Sequence, residues 1–367
     1  MRTHRENWRD IALTLRLALD PRKVVLGTVG VLMTLIVLMA LSIVVSPWWP
    51  GARAALDRVS REPGQVLRQE VQPRLARFVE SPAETTRRWT QVAIGKVLPT
   101  TYSRHAGIRP IAPHTLFVGA AGLALTLFIW SFFGGAIARI AALDFAKGKR
   151  LEIGEATEFS ARKFGSFFWS PVVPLAAAGV LVVCMMALGW VGRIPAAGPV
   201  IVGLFFALAA VAAVVALVLL VGTWFGFPFM WPTIAMEGTD AFDAISRSFN
   251  YFFARPVKTL ACFLAALVYG TVAVGIVAGA VHVSLALALA GVGFGVGSHF
   301  SEIGMCMGYG ATPEACCALP GAASVGTIGG MLLLRIVIIM AWVLVLGFIV
   351  SFKISAWTAI YAVLRRD

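Results

Sequence analysis

Residues 237–257 read EGTDAFDAISRSFNYFFARPV, and residues 152–172 read EIGEATEFSARKFGSFFWSPV. Shifted by 85 residues without a gap, the two share eight of 21 positions. The identities pair Glu152 with Glu237, Ala156 with Ala241, Arg162 with Arg247, Phe164 with Phe249, Phe167 with Phe252, Phe168 with Phe253, Pro171 with Pro256 and Val172 with Val257. Two more pairs keep an acid, Glu155 with Asp240 and Glu158 with Asp243. A match of this kind is read as an internal repeat before any motif is sought within it.

Each shared position has a physical task. Gly154 and Thr239 are expected as helix N-caps, each followed by an acid that complements the helix dipole. Glu158–Arg162 and Asp243–Arg247 are i,i+4 pairs in the favourable order, worth roughly 0.2–0.5 kcal/mol each. Phe164, Phe167 and Phe168, with Phe249, Phe252 and Phe253, fall at i, i+3 and i+4 and predict an interface-facing aromatic stripe. Pro171 and Pro256 are expected in the first turn of the helix that follows. The unit is then a span, a short interfacial helix (near 154–169 and 239–254) and a span going back, repeated in parallel within a four-span core over 115–290.

The surrounding composition fixes the class. The chain has 367 residues, 59% hydrophobic and 13% charged, with a mean hydropathy of +0.84; soluble domains carry about 25% charged residues. Six apolar runs approach or exceed the roughly 20 residues a bilayer crossing needs: 24–46, 115–137, 170–190, 200–226, 259–290 and 331–352. The fold class is therefore all-α, a polytopic transmembrane helical bundle of about six spans. The first apolar run is too long for the h-region of a cleaved signal peptide. Before it, in 1–23, Trp8, Ile11, Ala12, Leu15 and Leu19 recur at helical spacing, while Arg5, Arg9 and Arg16 take other faces. That pattern describes a basic amphipathic helix lying on a membrane surface, an ordinary solvated helix end being the other reading, and Pro21 ends it.

Charge sets the expected orientation. No Lys or Arg occurs from Thr259 to Leu334, whereas 138–169, 227–258, the N-terminal segment and Arg365–Arg366 are basic, so the latter are placed on the cytoplasmic side. The expected location is the cell inner (cytoplasmic) membrane, multi-pass, with both termini cytoplasmic. Residues 48–113 carry eleven Lys/Arg against five Asp/Glu and fall outside; a loop of that length escapes the rule. The segment 47–114 reads as an extracytoplasmic basic helical module, broken by Pro50, Pro63, Pro82 and Pro99. A basic face there is suited to anionic lipid headgroups or an acidic partner, a merely solvated helical pair being the other reading, and nucleic acid is a poor fit on the outer side. The loop 291–330 is extracytoplasmic, and 331–367 forms the last span and cytoplasmic tail.

The segment AMEGTDAFDAISRSFNYFF (235–253) resembles a segment of certain bacterial integral membrane proteins in which an acid is followed by Ala-hydrophobic-x-x-Ser. These include the membrane domain attached to some glycerophosphodiester phosphodiesterases. The resemblance covers roughly 115–290 and implies a polytopic fold. In the first copy Ala161 and Lys163 stand where the second has Ser246 and Ser248. No phosphodiesterase domain is present in the sequence, so that activity is not carried over.

Candidate chemistry is sparse. In HFSEIGMCMGYGATPEACC (299–317), His299, Met305, Cys306, Met307, Cys316 and Cys317 are soft ligands suited to copper or zinc. Their spacing is no recognised metal signature, and a disulfide from Cys306 to Cys316 or Cys317, or free thiols, are the other readings. Cys184 and Cys262 are expected as small buried side chains. GVGFGVG (291–297) lacks the strand and Lys of a phosphate loop and reads as a flexible helix end. Gly275 and Gly279 have the spacing of close helix packing. His282 reads as the one ionisable residue well inside a span, while Arg335 and Lys353 sit toward the ends of the last span, where both can snorkel. No Ser/His/Asp set, paired-carboxylate geometry or H-E-x-x-H motif emerges, so no catalytic, cofactor-binding or metal-ligating residue is assigned and no cofactor is implied. The expectation is a non-catalytic subunit or scaffold of a membrane complex, in contact with the lipid bilayer and other membrane proteins; the alternative is a transporter or lipid-handling protein with its pathway between the repeats.

Overall fold

A chain in lipid must satisfy its backbone N–H and C=O groups within itself, and over a long apolar run the α-helix does so. The computed structural model describes residues 20–45, 113–148, 150–254, 256–296 and 325–366. Among them lie eight helices and no strand: α1 (Pro21–Val45), α2 (Pro113–Lys147), α3 (Ile153–Arg162), α4 (Phe164–Val191), α5 (Ala197–Glu237), α6 (Ala241–Ala254), α7 (Pro256–Val296) and α8 (Val325–Arg366). Six of these, all but α3 and α6, are long and apolar enough to cross a membrane. The protein is an all-α, polytopic integral membrane protein. The N-terminal amphipathic segment, the 47–114 module apart from its last two residues, and the Cys-rich loop lie outside the described residues.

The helices outrun the apolar runs that announce them. Stretches such as 138–147 and 227–237, expected beyond the spans, continue α2 and α5 as helix. The order long helix, short helix, long helix occurs twice, in α2–α3–α4 and in α5–α6–α7. The joints differ, however. α3 meets α4 at Lys163, where helical bonding runs through: Lys163 N–H donates to Phe159 C=O and Phe167 N–H to Lys163 C=O, at 3.0 and 3.1 Å. In the other triplet Pro256 opens α7, as expected. Pro171, its match in the alignment, lies inside α4, so the expectation that it opens a helix fails. The cause is local. Pro171 removes the donor that would bond Phe167 C=O, and that oxygen instead accepts from Trp231 Nε1 at 3.1 Å and Ser170 Oγ at 3.2 Å. With its carbonyl satisfied by other donors, α4 continues through the proline.

The chain divides into two units. Unit 1 holds 1–33, 127–282 and 341–367. Its core gathers around the last turns of α5, which are buried on every side between Phe229 and Ala235. Met230, Trp231 and Ile234 pack with Leu26, Ile137, Ile140 and Phe167, and Phe229 packs with Cys262, Phe348, Phe352 and Tyr361. Earlier in α5, Val200, Leu204, Phe206, Leu208 and Val211 are exposed, as suits a lipid-facing helix. In unit 2 (34–126 and 283–340), Gly122 of α2 faces Leu38 and Leu41 of α1 at ordinary contact distance.

Close helix contacts use glycines other than those the spacing suggested. A Cβ on Gly27 would stand 2.5 Å from the Gly347 carbonyl oxygen, and one on Gly270 2.5 Å from the Phe352 ring. A Cβ on Gly275 or Gly279 would meet nothing within 4 Å, so this G-x-x-x-G face is open in unit 1. Gly291 to Val296, read as a flexible helix end, are helical in α7. Cys262 is buried as expected, but Cys184 is exposed. His282 stands on α7, 26 residues beyond Pro256 and inside the candidate span Pro256–Val292.

Gly27→Ala is therefore expected to lower thermal stability in detergent by about 1–3 kcal/mol, because the obstacle is backbone. Gly275→Ala should be neutral or slightly stabilising. Thermal unfolding followed by size-exclusion chromatography of both variants checks the contrast.

Candidate functional site

The end of α5 organises the densest polar cluster of unit 1. Gly238 adopts φ +70° in the left-handed region and its N–H returns to Ile234 C=O at 2.8 Å; glycine tolerates that conformation and stops the helix. Glu237 thus becomes the last residue of α5, its side chain only 11% exposed. It accepts from Arg247 Nη1 of α6, from Tyr361 Oη of α8 at 2.7 Å, and pairs with Arg365 Nε of α8 at 3.4 Å. Arg247 also donates through Nε to Asp243 Oδ1 at 2.9 Å. One carboxylate therefore joins three helices. The hydrogen bond to Asp243, then the charge of Glu237, hold the Arg247 guanidinium above its ordinary pKa, so Arg247 stays charged at physiological pH.

Neighbouring helix ends are closed by long side chains. Ala235 C=O, left without a helical donor by the break at Gly238, accepts from Arg139 Nη1 of α2 at 2.6 Å; a cation suits that negative end of the helix dipole. The Arg139 guanidinium lies 4.1 Å from the centroid of the Phe159 ring. Ser160 Oγ donates to Phe132 C=O at 2.6 Å. At the start of α1, Asp20 Oδ1 caps the N–H of Arg22 at 3.1 Å, with Pro21 as first helical residue, a position proline suits. Pro21 therefore starts a helix. Arg22 Nη1 donates to Leu151 C=O at 2.8 Å, and the buried Lys23 pairs with Asp144 at 3.4 Å. Lys163, at the α3–α4 joint, pairs with Asp240 at 3.5 Å.

The sequence reading is partly redrawn here. The i,i+4 pairs form, Glu158–Arg162 at 3.3 Å and Asp243–Arg247 at 2.9 Å. Their settings differ: the first is about two-thirds exposed and tied to nothing else in these ion pairs, the second belongs to the Glu237 cluster. Neither expected N-cap holds that position. Glu152 caps α3 with Gly154 inside the helix, and Asp240 C=O accepts the Ala244 N–H. Thr239 Oγ1 is instead buried without a hydrogen-bond partner among the described residues. The aromatic stripe turns mostly inward: Phe167 is fully buried against Phe159 and Trp231, Phe164 packs on Phe128, and Phe252 stacks on Phe225. Only Phe253 of the six is exposed. Lys353 lies 4.7 Å from the ring centroid of Trp357, one turn nearer the Arg365 end of α8, while the Arg335 side chain is outside the described residues. Arg139, Trp231, Tyr361 and Arg365 gave no local signal of their contacts, because every partner is far away in sequence.

Among the described residues no group of three or more His, Cys, Asp or Glu stands close enough to hold a metal ion. The cluster's evident chemistry is closure, with carboxylates and cations neutralising one another across helix ends. Comparison with protein-family models, with curated proteins and with solved structures finds no match to this chain.

Glu237→Gln removes the charge that three groups share, and is expected to cost about 1.5–3 kcal/mol. Arg162→Ala, which breaks only an exposed pair, should cost less than about 0.5 kcal/mol. Apparent melting temperatures of the two variants in one detergent measure the difference.

Proposed function

We propose that this integral membrane protein is a non-catalytic subunit or scaffold of a membrane complex in the cytoplasmic membrane, with both termini cytoplasmic. The observation that carries this reading is how the charged side chains are spent. Glu237, Arg247 and Arg365, Lys23 with Asp144, Lys163 with Asp240, and Arg139 on the Ala235 carbonyl all tie one helix of this chain to another. Much of the remaining surface of α4 and α5 is apolar, with Val180, Val183, Leu204, Phe206 and Leu208 exposed. Ionisable groups committed to holding helices together, beneath broad apolar faces, suit a protein whose work is packing against lipid and other membrane proteins. In this reading the two long–short–long helix triplets descend from one repeated unit.

Extraction from the native membrane in a mild amphiphile, followed by native mass spectrometry, tests the proposal. The expected result is a discrete species heavier than the 39.2 kDa chain, of fixed stoichiometry and recovered again when its second component carries the tag. A monomer alone, or solute flux across reconstituted vesicles, would overturn it.

A further inference from the structure

Among the described residues, one face of α6 has nothing packed on it. Phe242 and Phe253 are 72% and 52% exposed, and stand 11 residues apart, which at about 100° per residue puts both on one side of the helix. Ser246 and Asn250, exposed as well, lie between them on that side. The opposite side is buried through Ala241, Ala244 and Ser248. An outward stripe of Phe-Ser-Asn-Phe fits neither bulk water nor the bilayer interior: its ends are apolar and its middle is polar.

The neighbours say what covers it. Phe252 stacks on Phe225 of α5 at 4.9 Å between ring centroids, and the adjacent Trp224 is exposed, as is Val257 at the start of α7. α6 thus packs on α5 at Gly222 and Phe225, well before the end of that helix, and leads into α7; both α5 and α7 are long and apolar enough to cross the bilayer. α4 supplies a ruler. Its exposed indoles, Trp169 and Trp190, stand 21 residues apart, about 32 Å along the axis. The hydrocarbon core is ~30 Å thick, and indoles gather at its two boundaries.

We propose that the outward face of α6 is seated in the lipid headgroup boundary of the bilayer, at the boundary that Trp169 marks on α4, with Trp190 marking the other. Phe242 and Phe253 reach toward the acyl chains, while Ser246 and Asn250 stay among headgroups and their water. α6 then lies on the membrane surface as an amphipathic helix does, held from beneath by Arg247 on Glu237. The occupant is lipid rather than a second protein because the face is continuous with lipid-facing surface on α5 and α7 and mixes apolar with hydrated groups. The reading rests on the chain crossing a membrane and holds whether or not the protein is a scaffold.

Nitroxide labels at Phe242→Cys, Phe253→Cys, Trp169→Cys, Val180→Cys and Trp190→Cys report depth in phosphatidylcholine–phosphatidylglycerol vesicles, through collision with oxygen and with a water-soluble nickel chelate. The background replaces the other cysteines by Ser but keeps the buried Cys262, and each variant is first required to elute as the parent does. The expected order places Val180 deepest, with Trp169 and Trp190 shallow and alike, and Phe242 and Phe253 at the shallow level of Trp169. Full access of nickel to Phe242 and Phe253, as in water, would overturn the proposal. So would exclusion of both reagents, the signature of a covering protein, or depths at Trp169 and Trp190 equal to that at Val180.

Discussion

The fold depends on how it meets one constraint: a backbone carbonyl that loses its helical donor needs another. Pro171 strips the donor from Phe167 C=O, and Trp231 reaches across from α5 to replace it. The break at Gly238 leaves Ala235 C=O open, and Arg139 reaches from α2. Leu151 C=O, between α2 and α3, takes Arg22 of α1. In each case the irregular backbone that a turn or proline creates becomes the attachment point for another helix. In a low-dielectric setting an unmet carbonyl costs more than in water, so these contacts select which helices lie together as well as holding them.

The ionic ties add to the same end of unit 1. Glu237 ends α5, and the cations and phenol that converge on it come from α6 and α8. A carboxylate so nearly enclosed would be costly alone. With Arg247, Arg365 and Tyr361 around it, the cost is offset and the three helix ends acquire a fixed register. The exposed Glu158–Arg162 pair in α3 shows the contrast: the same i,i+4 spacing without enclosure fixes nothing beyond its own helix. Between the two aligned segments it is the surroundings that change the meaning of shared residues.

Much of the fold was legible because helix-forming apolar runs are local signals. Six membrane-length helices and the short helices between them follow from run length, periodicity and the acids that begin α3 and α6. The local ion pairs were legible for the same reason, since i and i+4 meet on any helix. What failed were readings that needed the partner helix. Phe164 and Phe168 look like an interfacial stripe until Phe128 covers them. Gly275 and Gly279 look like a packing motif, but the close crossing is made by Gly27 and Gly347, whose positions give no spacing signal. Pro171 looks like a helix start because the sequence does not show Trp231 supplying its missing bond. Glu237 was visible as a shared acid, yet its role came from Tyr361, 124 residues away.

The most direct test is a double-mutant cycle on the Phe167 carbonyl. Trp231→Phe is measured by thermal unfolding in the parent chain and again in Pro171→Ala, which restores an N–H to α4. The cavity left by the smaller ring is common to both backgrounds and cancels. The account predicts that losing the indole donor costs about 1–3 kcal/mol more in the parent, where Phe167 C=O has no helical donor, than in the Pro171→Ala background. Equal costs in the two backgrounds would contradict it.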